Sequence, residues 1–119
     1  YQILGLIDRN DLFNLIYHSI GVIQPSKSEG ESGSVEMAKS FNKITLLSAK
    51  DVHKEQRPKR SYFYDTEDYK KLSNYLIGVH QKFDLKKEKK LINKSLEDNK
   101  KILNRLKKVF FKLLKMFEV

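Results

Sequence analysis

Apolar positions along this chain fall into a few separable patterns. Leu12, Leu15, Ile16 and Ile20 recur three and four apart, which predicts a helix over about 11–20. Asp8, Asn10 and Asp11 supply capping oxygens ahead of it, and Gly21 is placed to close it. Tyr1–Ile7 (YQILGLI) is apolar but too short to assign by period, and an apolar run at the first residue implies a segment upstream. Residues 24–34 (QPSKSEGESGS) form a polar loop.

A second, short helix is predicted from Ser32 or Ser34, with Val35, Ala38 and Phe41 turned inward. Ile44–Val52 is strand-like at its start, and Ser61–Asp65 (SYFYD) is an aromatic strand. Between them His53–Arg60 (HKEQRPKR) reads as too charged to pack, which predicts a β-hairpin with a basic, extended loop. Asp65 or Thr66 then starts another helix, lined by Tyr69, Leu72, Leu76, Val79 and Phe83. After Asp84 the pattern is one long helix. Its seam of alternating three- and four-residue steps runs Leu85, Lys89, Ile92, Leu96, Asn99, Leu103, Leu106, Phe110, Leu113, Phe117. A single Asn in such a seam sets register and partner number in coiled coils.

That order gives a mainly helical chain with a small β-hairpin: a winged helix-turn-helix over 1–65 and a coiled-coil-like dimerisation helix within 66–119. Composition narrows the chemistry. The 119 residues contain no Cys, which excludes a disulfide scaffold and thiolate chemistry. No apolar run approaches the ~20 residues that cross a bilayer. The net charge is +9, and it is uneven: −3 over residues 1–38, +5 over 39–60 and +7 over 61–119. Dense positive charge across a short helix and a hairpin tip points to a polyanion.

The chain resembles MarR-like winged-helix regulators, in particular the GbsR branch. The resemblance rests on YQILGLI (1–7), SGSVEM (32–37) and RPKRSYFY (57–64), followed by a long helix. It implies a homodimeric regulator of transcription, in some members responsive to a small effector. Plasmid-partition and replication-terminator proteins share this architecture. The turn over 22–33 is longer than the family's, and the Gly that closes the family's recognition helix is absent.

On this reading Ser34, Met37, Lys39, Ser40 and Lys43 face the major groove, and Arg57, Lys59 and Arg60 meet phosphates or the minor groove. Leu85, Ile92, Leu96, Asn99, Leu103, Leu106, Phe110, Leu113 and Phe117 carry the dimer. The partners are double-stranded DNA and a second copy, without a membrane or cofactor, in the cytoplasm at the nucleoid. A helical protein-interaction module with no DNA role is the alternative. Lys107–Phe117 also suits a basic amphipathic membrane-surface helix, although its apolar residues continue the seam and favour dimer packing. Ile3–Leu15 is similar to the last strand and helix of a CBS domain, without the Thr that precedes the ribose-binding Asp there. His18, His53 and His80 lack metal-ligand spacing and read as surface or half-buried residues; no phosphate-loop or nucleophile motif occurs, so an enzyme is not expected.

Overall fold

The computed structural model describes residues 2–28 and 30–117. Tyr1 of the first apolar run, Glu29 of the polar loop and the last two residues of the C-terminal region lie outside the described residues. Helix α1 (Arg9–His18) starts and ends two residues earlier than the expected 11–20, with Asp8 Oδ1 accepting from the Asn10 amide at 2.6 Å. Ser19 ends it by donating its amide and hydroxyl back to Ile16 O. Residues 3–7 form no strand, so the CBS-like start is not built. Gly21 does not close the helix; it opens strand β1 (Gly21–Gln24).

Helix α2 (Gly33–Ser40) begins at Ser32 as predicted and buries Val35 and Ala38. Asn42 takes the left-handed conformation (φ 51°) just past its end, a position that glycine or asparagine commonly fills. Strand β2 (Ile44–Ser48), the short helix α3 (Asp51–Glu55) and strand β3 (Ser61–Tyr64) follow.

The three strands form one sheet in the order β1-β2-β3, and both pairings are parallel. The expected hairpin is therefore corrected, and with it the wing. The reason lies in the connection. Residues 49–60 give twelve positions between strands, about the length a parallel crossover needs, and they fold back through α3 rather than reversing at a turn. His53 and Pro58, expected in a solvated loop, are buried residues of this crossover. Thr45, Leu46, Leu47 and Ser48 are all buried, so the central strand is covered on both faces, as in a parallel sheet.

Helix α1 packs on α2 through edge-to-face rings, Phe13 and Tyr17 each meeting Phe41 at 6.0 and 5.8 Å. Helix α4 (Tyr69–Lys82), capped by Asp68, sets Tyr75 beside Tyr62 at 5.1 Å. Helix α5 (Leu85–Phe117) is the longest element, 33 residues. Its first half is fastened to the body by Glu88 and Ile92, both buried, and by Ser95 and Asn99, which each donate to Ser40 O at the end of α2. From Lys100 to Phe117 every residue is exposed. The chain is accordingly elongated, 62 × 35 × 27 Å.

Candidate docking surface

Several of the residues expected to read DNA are engaged by partners within the chain. Ser34 Oγ donates to Gln24 Oε1 at 3.2 Å, and Ser40 Oγ donates to Met37 O at 2.7 Å. Met37 itself is half-buried. Lys39 pairs with Glu36 one turn back at 2.9 Å, and this contact holds the Glu36 carboxyl below its usual range. Lys43 is 4% exposed, and its Nζ donates to Ser19 O at 2.7 Å. Burial depresses its pKa, against the opposing pull of Glu88. Neither Lys43 nor the inward groups of α2 can enter a groove.

Arg60 is likewise committed. Its guanidinium makes a two-point pair with Glu88, Nη1–Oε2 at 2.9 Å and Nη2–Oε1 at 2.6 Å, and Nη1 also donates to Asn42 O. Among the three basic residues expected at the wing tip, Arg57 and Lys59 are exposed and Arg60 is not. They occupy the turn before β3 rather than a hairpin tip.

The expected dimer seam divides in two. Ile92 is buried against the chain's own body, and Asn99 spends its side-chain amide on Ser40 O instead of fixing a coiled-coil register. Leu96, Leu103, Leu106, Phe110, Leu113 and Phe117 are exposed. Around the helix, at about 100° per residue, the apolar residues from Leu96 onward occupy an arc of roughly 160°, with Phe111 alone outside it. Lys and Arg fill the opposite side.

The charge follows the same division. Helix α5 holds twelve Lys and Arg against three Asp and Glu, a net of +9. Residues 1–84 hold twelve against eleven, a net of +1. The dense cluster at 39–60 is thus offset within the body, in part by direct pairing, and the excess of the whole chain is displayed on one helix. A tally taken by helix rather than by chain thirds would have found this in the sequence.

Two further arrangements were not legible. At the carboxyl ends of the strands, where open parallel sheets commonly bind ligands, Ser48 Oγ donates to Ser26 O at 2.7 Å and lies 3.1 Å from His53 Nδ1. Both residues are fully buried, and Nδ1 is also 2.9 Å from Ser48 O, so the pair clasps β2 to α3 rather than facing a substrate. Gln56 Nε2 ties the same crossover to α2 through Ser32 O and Glu36. A mainly apolar cavity of about 460 Å³ lies between the sheet and α4, lined by Ile23, Ile44, Leu46, Leu76 and Val79 with His80 the lone titratable group. No group of three or more metal-ligating side chains occurs among the described residues.

Compared with models of protein families, with curated proteins and with solved structures, the chain matches none. The exposed half of α5 is the surface on which function is best argued.

Proposed function

We propose that this chain is a docking module, in which a small α/β body is held to a negatively charged partner by the free half of α5. One observation carries the reading: a net charge of +7 over residues 100–117 and a continuous apolar stripe sit together on the exposed half of the helix, beyond its last contact with the body. A solvated helix has no use for that stripe, and burying it is the main driving force available for association. The charge supplies attraction over about 10 Å and a preference for anionic surfaces.

The test is retention of the full chain on heparin, a simple polyanion, as salt is raised. A variant carrying Lys100→Glu, Lys107→Glu and Lys112→Glu is expected to elute at clearly lower salt, while Arg57→Ala with Lys59→Ala elutes nearly unchanged. Equal retention of wild type and the α5 variant would overturn the reading.

A second reading is double-stranded DNA binding by a homodimeric regulator, including a partition or terminator role. Exposed Arg57 and Lys59, adjacent in one turn, favour it. On that reading their replacement by Ala weakens a gel shift and flattens its salt dependence.

A further inference from the structure

We propose that the free half of α5 lies on the surface of an anionic lipid bilayer, with its apolar arc among the acyl chains and its lysines at the headgroups. The inference rests on the docking reading above and names the partner. Three features favour lipid over a second copy of the chain.

The first is the width of the apolar face. A two-stranded seam covers the narrow stripe of Leu103, Leu106, Phe110 and Leu113. It would leave Ile102, Val109 and Met116, all more than half exposed, at its margin. A flat, fluid surface covers the whole arc at once.

The second is the flanking charge. Residues 99–117 contain seven Lys and Arg and no Asp or Glu. In a paired coil the positions beside the seam are Lys100, Lys107 and Leu114 on one side and Ile102, Val109 and Met116 on the other. No opposite charges meet in either strand orientation, and an antiparallel pair sets lysine against lysine. Acidic headgroups provide the missing complement from a single plane.

The third is geometry. The helix leaves the body after the Asn99 contact with Ser40, so the segment beyond projects clear of the fold. It is amphipathic, and no helix among the described residues is long and apolar enough to cross a membrane. Lying in the interface is the arrangement open to it.

The experiment is vesicle flotation with the full chain, using phosphatidylcholine alone and phosphatidylcholine mixed with phosphatidylglycerol. Each is run with wild type and with Leu106→Glu/Phe110→Glu. Both substituted residues are exposed and touch no part of the body, so circular dichroism and urea unfolding of the body serve as the folding control. Binding to the acidic vesicles about tenfold or more above neutral ones, lost in the variant and reduced at about 0.5 M salt, is expected. Light scattering without lipid is run in parallel.

A defined dimer that the variant dissolves, with no vesicle binding, would overturn the lipid partner and leave α5 as a docking element. Retention on duplex DNA or heparin that depends on the α5 lysines, again without vesicle binding, would do the same. A monomer that neither binds vesicles nor depends on α5 for polyanion retention would overturn both readings.

Discussion

Arg60 and Glu88 join the start of β3 to the first turns of α5 through two hydrogen bonds, at 2.9 and 2.6 Å, with Glu88 almost fully enclosed. Removing either side strands the other in a poorly solvated place. Arg60→Ala or Glu88→Ala is expected to cost about 2–3 kcal/mol in urea unfolding, somewhat under a fully buried pair because Arg60 keeps partial exposure. Arg60→Met with Glu88→Leu should cost less than either alone. If Arg60→Ala left stability unchanged and abolished polyanion binding, the residue would belong to an interface instead.

Lys43 gives a pH dependence whose direction follows from its burial. Its folded pKa lies below the ordinary 10.5. Between that lowered value and 10.5 the unfolded chain binds a proton that the folded chain does not, so stability rises with pH there. Below its folded pKa the charged ammonium is carried at a cost. The urea midpoint of wild type should therefore climb relative to that of Lys43→Met as the pH approaches 10.5. A difference that stays constant from pH 7 up to about 10.5 would refute this.

At Gly21 the sheet leaves no room for a side chain. A Cβ there would stand 2.8 Å from Ile44 O, a backbone atom of the neighbouring strand. Gly21→Ala is expected to destabilise by about 1–3 kcal/mol and to speed amide exchange at Val22–Gln24. Unchanged exchange would mean that β1 already sits further from β2.

Arg57 holds a left-handed backbone (φ 47°) while exposing its side chain. Arg57→Gly relieves that conformation and should raise stability by about 0.5–1 kcal/mol. The same variant separates the two functional readings: the docking reading leaves polyanion retention nearly unchanged, whereas DNA binding through this turn loses affinity.

Elements were more legible than their arrangement. The capping chemistry at Asp8, the three-residue spacing of Val35, Ala38 and Phe41 and the heptad after Asp84 locate α1, α2 and α5 to within a few residues. β1 was hidden because four residues with two β-branched members carry little periodic signal, and because Gly21 looks like a helix terminator. The direction of β3 is hidden because the twelve residues between the strands, seven of them charged, look like a long hairpin loop. His53 and Pro58 were the contrary sign, along with the unbroken burial of Thr45–Ser48, which suits a strand covered on both faces. Arg60 and Lys43 show why charge counts mislead at single positions: a cation's partner is set by tertiary contact, which local sequence does not display.

The unbroken helix through Asn99 makes the join between body and projecting segment a stiff axle rather than a leash. Whatever holds the free half sets the tilt of the sheet above it and how far it can swing. One residue inserted near Lys100 would turn the apolar stripe by about 100° relative to the body. The stripe could still be buried, but the body would then face the partner with a different side. Phase along α5, and not its composition alone, decides which surface of the α/β body is presented outward.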